Sequence, residues 1–154
     1  TFAGTTLYAA PTTGGLLKST NGTTWTRLAK SGWGYVLDTV ELYNITTHPT
    51  NNTTLFVSAP DGLYKVVDNG GTATVTKIGT GLPAGSVYQL QIDKNTPNTM
   101  YIAAGKNGVY RSTDGGLNFS ARNNGLFSAI SAGGSARYII MSPVDQNKLL
   151  VSFK

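Results

Sequence analysis

The sequence predicts an all-β fold assembled from repeats, and three observations carry that prediction. A short apolar segment recurs as Leu7-Tyr8-Ala9-Ala10, Leu55-Phe56-Val57-Ser58-Ala59, Met100-Tyr101-Ile102-Ala103-Ala104 and Leu149-Leu150-Val151-Ser152-Phe153. Its period is about 45 to 49 residues, the range of propeller blades and kelch-like arrays. Between copies the apolar residues alternate or form short runs, whereas a helical solenoid would place them at every third or fourth position. The third observation is a tight polar turn after a strand, clearest in Gly108-Val109-Tyr110-Arg111-Ser112-Thr113-Asp114-Gly115-Gly116-Leu117-Asn118-Phe119. The expected architecture is a β-propeller of four-stranded antiparallel blades, with about three blades present as a single partial domain over residues 1–154. Repeats fall at approximately 7–54, 55–99 and 100–148, and residues 149–154 begin a further blade.

Taken in order, residues 6–10 read as a strand, 11–15 as a loop, 16–19 as a strand, 20–23 as the polar turn and 24–28 as a third strand. Residues 29–35 read as a link to a long strand near 36–45, and 47–52 turn the chain into Leu55. The second cycle uses 55–59, 62–67, 73–78 and 86–92; the third uses 100–104, 109–112, 118–122 and 137–141. The turns at 93–98 and 142–147 share Pro, Asn and Asp, which supply turn geometry. With the long strand of each cycle innermost, and strands lettered A to D outward, the chain is expected to begin and end on a B strand. Propellers close with about four to eight blades. This chain is therefore expected to belong to a larger propeller or to complete a ring with another subunit, the unequal strand count favouring the first. Thr1 in place of Met carries the expectation that the chain starts inside a longer gene product.

The polar turn has its own physical logic. A short carboxylate or amide accepts hydrogen bonds from backbone N–H groups just ahead, and glycine supplies the positive φ that closes the hairpin. The aromatic that follows, Trp25 or Phe119, is expected to pack under the turn. Ser112-x-Asp114-x-Gly116-x-Asn118-Phe119 resembles the Asp-box, S-x-D-x-G-x-T-W, of the bacterial neuraminidase-type repeats. Those repeats occur in sialidases, xyloglucanase-type glycoside hydrolases, sortilin-like receptors and photosystem assembly factors. Ser19-Thr20-Asn21-Gly22-Thr23-Thr24-Trp25 is similar but one residue shorter, and Asp68-Asn69-Gly70-Gly71 keeps only the acid and the glycine. The resemblance implies a propeller. A turn copied in each repeat is expected to be a fastener rather than a metal or sugar site.

Composition narrows the function. Charged residues make up 12% of the chain and the net charge is +5, but the basic residues are scattered without an aromatic-basic cluster, which argues against nucleic-acid binding. There is no Cys, so disulfides and thiolate metal sites are excluded. His48 stands alone beside Pro49 and reads as a turn residue; no metal site and no cofactor is expected. No apolar run approaches the about 18 residues that would cross a membrane. The expected setting is a secreted or cell-surface protein, as in bacterial export.

Candidate ligand residues lie in the D-to-A and B-to-C connections, on the face opposite the polar turns. They are Trp33 and Tyr35 between glycines, Lys106, and Phe127 in the long segment 123–136. The weak catalytic candidates are Asp61 and Asp38, because glycoside hydrolysis needs two carboxyl groups about 5 to 9.5 Å apart. Ser58-Ala59-Pro60-Asp61-Gly62-Leu63-Tyr64 resembles the loop bearing one catalytic Asp in xyloglucanase-type hydrolases, whose two acids come from distant blades. Asp38 and Asp61 fall in one repeat. The leading expectation is a non-catalytic extracellular interaction or scaffold module that binds a partner protein or glycan. The alternative is a fragment of a xyloglucanase-like glycoside hydrolase propeller.

Overall fold

A computed structural model describes residues 1–12, 14–31 and 41–154. The strands fall into four successive antiparallel sheets, each a blade. The first is β1 (Phe2–Ala3), β2 (Thr6–Ala9), β3 (Leu17–Ser19) and β4 (Thr26–Arg27) in that spatial order. The second is β6 (Asn44–Thr47), β7 (Thr54–Ala59), β8 (Gly62–Asp68) and β9 (Thr72–Ile78), extended by β5 (Ala29–Ser31) running parallel to β9. The third is β10 (Gln89–Ile92), β11 (Met100–Ala103), β12 (Val109–Ser112) and β13 (Ser120–Ala121); the fourth pairs β14 (Ala136–Met141) with β15 (Leu149–Phe153). Four-stranded antiparallel blades are thus present as the repeats predict.

Four details differ from the sequence reading. The short β1 pairs with β2, so the chain opens on an A strand, not a B strand. The longest strands are β8 and β9, of seven residues each, whereas the A strands β6 and β10 have four residues each and the A strand β14 has six. The expected long strand near 36–45 lies partly outside the described residues. Segment 29–35, read as a link, supplies β5, which pairs with β9 and satisfies backbone groups that an outer edge would leave open. A short helix α1 (Phe127–Ser131) occupies the segment read as a loop, with Leu126 before it packed on the core below.

The core lies between blades. Tyr8 and Leu16 of the first blade pack on Leu55, Val57 and Val66 of the second. Phe56 and Leu63 of the second pack on Leu90, Met100, Ile102 and Phe119 of the third. Ala103 and Val109 of the third meet Ala136 and Ile139 of the fourth. Period-two alternation produces this: residues of one B strand face alternately the blade before and the blade after. The A strands are joined in turn, Thr46 Oγ1 donating to the Leu90 carbonyl at 3.0 Å and the Ile139 N–H donating to Gln89 Oε1 at 2.8 Å.

The polar turns form as fasteners. Ser112 Oγ donates to Asp114 Oδ1 at 2.7 Å and accepts the Gly116 N–H at 3.0 Å; Asp114 Oδ1 accepts the Asn118 N–H at 2.9 Å. Gly116 has φ 88°, and a Cβ there would stand 3.1 Å from Ile78 Cδ1. In the first blade Ser19 Oγ accepts the Gly22 N–H at 2.9 Å, and Asn21 Oδ1 accepts the Thr23 and Thr24 N–H groups at 3.0 and 2.8 Å. Phe119 packs in the core as expected, but Trp25 does not: it is 40% exposed. Because Ser112 is buried, Ser112→Ala leaves the Gly116 N–H without its acceptor. The expected loss is about 2 kcal/mol of unfolding free energy in a urea titration.

Candidate functional site on the loop face

Strand pairing identifies three equivalent residues. Thr47, Ile92 and Met141 pair with Leu55, Met100 and Leu149, the first residues of the recurring apolar segment. Counting back along each A strand by the same number of residues reaches Tyr43, Tyr88 and Arg137. These three come together as a row. The Tyr43 and Tyr88 rings stack at 4.9 Å and 14°, and the Arg137 guanidinium lies 3.9 Å from the Tyr88 centroid on a cation–π contact.

Two concavities flank the row. One of about 280 Å³ is lined by Glu41, Leu42, Tyr43, Tyr88, Arg137, Tyr138 and Lys154. The other, about 240 Å³, is lined by Ser86, Tyr88, Lys106, Asn107, Ser135 and Arg137, among others. Arg137 Nε is buried and has no hydrogen-bond partner among the described residues. The Tyr88 ring covers one side of the Arg137 guanidinium, so its donors are held as a preset array.

Of the residues expected to bind ligand, Lys106 lines the second concavity. Phe127 stands on α1 at 77% exposure and lines neither. Trp33, Tyr35 and Asp38 lie outside the described residues. Asp61 Oδ2 accepts from the Tyr64 hydroxyl at 2.6 Å and from Lys77 Nζ at 2.8 Å. Burial alone pushes its carboxyl up, but Lys77 and Tyr64 outweigh that and hold it below the ordinary carboxylate range.

Asp68 was legible only as a turn residue. Its Oδ1 accepts the Gly70 N–H at 2.8 Å, which is that role. Its Oδ2 reaches into the first blade, accepting from the Tyr8 hydroxyl at 2.5 Å and pairing with Lys18 Nζ at 2.6 Å. Burial pushes the Asp68 carboxyl up; Lys18, Tyr8 and Gly70 together hold it lower than usual, while burial and the carboxylate push the Tyr8 hydroxyl up. His48 is a turn residue as expected, its Nδ1 accepting the Thr50 N–H at 3.3 Å; burial and nearby Lys65 lower its pKa. Among the described residues no group of His, Asp and Glu is placed to hold a metal ion, and no helix is long and apolar enough to cross a membrane.

YCF48 from Cyanidioschyzon merolae superposes on this chain with a TM-score of 0.72 at 16% identity, over 99% of this chain and 49% of that one. The fold is a β-propeller. An ancestral GH74 enzyme aligns at TM-score 0.49 and 18% identity, over 97% of this chain and 26% of that one. The propeller chain thus spans 49% of the length of YCF48 and 26% of that of the GH74 enzyme. Its sequence matches no protein-family profile and no curated protein.

Proposed function

We propose that the chain is a non-catalytic interaction module that holds a partner protein segment or a glycan against the Tyr43–Tyr88–Arg137 row. The observation that carries this reading is the row itself: three successive blades each contribute one stacked side chain at one register, beside two concavities. Aromatic faces and a preset guanidinium suit the apolar face of a sugar or a peptide side chain together with its hydroxyl or carboxylate groups. Among the described residues the row's concavities contain a single carboxylate, Glu41, which suits binding better than paired acid–base hydrolysis. Asp61 is held by Lys77 and Tyr64, and its carboxylate serves the β8–β9 hairpin. The reading takes the Ser19 and Ser112 turns as Asp-box repeats, supported by their parallel hydrogen bonding. It also places the module outside the cell, in line with a surface carried by hydroxyls and amides more than by charge.

The test is surface plasmon resonance of the immobilised chain against a panel of neutral and acidic oligosaccharides and peptides. At least one ligand class is expected to bind, weakening about tenfold or more with Arg137→Met, a loss of about 1.4 kcal/mol. Binding that ignores both Arg137→Met and Tyr88→Ala overturns the site. Polysaccharide hydrolysis abolished by Asp61→Asn overturns the non-catalytic reading.

A further inference from the structure

Asparagine followed by glycine is the pair in which a side-chain amide is most open to attack by its own backbone, because glycine has no side chain to keep the next nitrogen away. The sequence carries the pair four times, at Asn21-Gly22, Asn69-Gly70, Asn107-Gly108 and Asn124-Gly125. Attack needs the glycine N–H free, and in three of the pairs it is held. The Gly22 N–H donates to Ser19 Oγ at 2.9 Å, the Gly70 N–H to Asp68 Oδ1 at 2.8 Å and the Gly108 N–H to the Gly105 carbonyl at 3.0 Å. Two of the side chains are tied as well: Asn21 Oδ1 accepts the Thr23 and Thr24 N–H groups, and Asn69 Nδ2 donates to Thr74 Oγ1 at 3.0 Å.

The fourth pair differs. Among the described residues the Gly125 N–H has no acceptor and the Asn124 side-chain amide no partner. Both residues are exposed, at the centre of a turn that the Leu126 N–H closes on the Asn123 carbonyl at 2.9 Å. Gly125 has φ 83°, with open space where a Cβ would stand. A surface turn closed by one hydrogen bond opens locally at small cost, which lets the nitrogen reach the amide.

We propose that Asn124 is a site of spontaneous modification, its side-chain amide lost through a cyclic imide with the Gly125 nitrogen to leave aspartate and isoaspartate. The Gly125 nitrogen gives up its proton and bonds to Asn124 Cγ, the Cγ–Nδ2 bond breaks, and that nitrogen leaves with the proton as ammonia. Water then opens the imide. Opening at the side-chain carbonyl restores the backbone with aspartate, and opening at the main-chain carbonyl routes the backbone through Cγ as isoaspartate. Net, water enters and ammonia leaves, and nothing is oxidised or reduced. The new carboxylate stands next to Asn123, whose Oδ1 accepts the Val109 N–H at 2.8 Å and whose Nδ2 donates to the Asn107 carbonyl at 2.9 Å. Asn107 and Lys106 line the smaller concavity beside the Tyr88–Arg137 pair, so the charge arises on the segment that clamps that loop. The inference does not depend on what the concavity binds.

The experiment is peptide mapping by mass spectrometry of the whole folded chain held in mildly alkaline buffer, where loss of the amide proton drives imide formation. The mass gain of amide to acid is expected at Asn124 about tenfold or more faster than at Asn21, Asn69 or Asn107, since each of those must first give up a hydrogen bond. In urea the four rates are expected to draw together, because every glycine N–H is then free. Fragmentation that separates the isomers is expected to find isoaspartate at position 124, and Asn124→Ser is expected to remove the main acidic species on ion exchange. The wild-type rates need no variant. Asn124 reacting no faster than the other three in the folded chain overturns the proposal, as does a product that is aspartate alone, because imide opening gives both isomers. A lead of Asn124 as large in urea as in the folded chain overturns the role given to the hydrogen bonds.

Discussion

Phe56→Ala is expected to lower the unfolding free energy by about 4 kcal/mol, read as the shift of the urea midpoint at constant slope. The ring is 2% exposed and sits where the second blade meets the third, against Leu90, Met100, Ile102 and Phe119. Truncation removes the transfer free energy of the ring and leaves a cavity. The walls come from two sheets, each fixed by its own hydrogen bonds, so they collapse only partly. Phe56→Leu keeps most of the volume and is expected to cost under about 1.5 kcal/mol. The control is Leu150→Ala at the equivalent register. Its side chain is exposed, so in dilute protein the change is expected to stay within about 0.5 kcal/mol.

The contrast between Phe56 and Leu150 also measures what the sequence discloses. The recurring apolar segment and the Ser112–Asp114 turn are both short-range patterns, one a run of five residues and the other a set of hydrogen bonds spanning few residues, so they could be read directly. The Tyr43–Tyr88–Arg137 row could not. Its members are related only through the pairing of Thr47, Ile92 and Met141 with the next strand, and an arginine in place of a tyrosine hides the equivalence. What stands out locally is aromatics between glycines and Phe127, and Phe127 lies on a helix. That helix was missed because its apolar residues, Leu126, Phe127 and Ile130, span little more than one turn among Asn, Ser and Gly. The opening A strand was missed for a similar reason, as two residues at Phe2–Ala3 give no periodicity to read.

Asp68 shows the same limit and supports the second large effect. Its place before Asn69-Gly70-Gly71 discloses the turn, but Tyr8 lies 60 residues away and nothing local relates the two. Asp68→Ala leaves the buried Tyr8 hydroxyl and the Gly70 N–H without this acceptor and the Lys18 ammonium with the Gly70 carbonyl in place of its counter-charge, and is expected to cost about 3 kcal/mol. Asp68→Asn can turn its one oxygen to Tyr8 and Lys18 but loses the charge and the Gly70 N–H bond, so its cost is expected to be smaller than that of Asp68→Ala. In a double-mutant cycle, Tyr8→Phe is expected to cost less in the Asp68→Ala background than in the wild type, because the hydroxyl has already lost its partner.

The pH dependence separates the charge from the packing. The Asp68 carboxyl titrates lower in the folded chain than in the unfolded one, so its contribution is present above the unfolded value of about 3.9 and is lost as pH falls through the folded value. The Tyr8 hydroxyl titrates higher in the folded chain, so its contribution is present below the unfolded value of about 10 and is lost as pH rises beyond it. Wild-type stability carried by this contact is therefore expected to hold between those limits and to decline on both sides. Tyr8→Phe is expected to flatten the alkaline decline, and Asp68→Asn the part of the acid decline that this carboxyl contributes. An acid limb unchanged by Asp68→Asn would mean that the other lowered carboxyls, Asp61, Asp93 and Asp114, carry it instead; Asp114 alone is held down to about 2 by the Asn118 and Ser112 hydrogen bonds. The inter-blade pair would then act through geometry, fixing where the first blade sits on the second, rather than through charge.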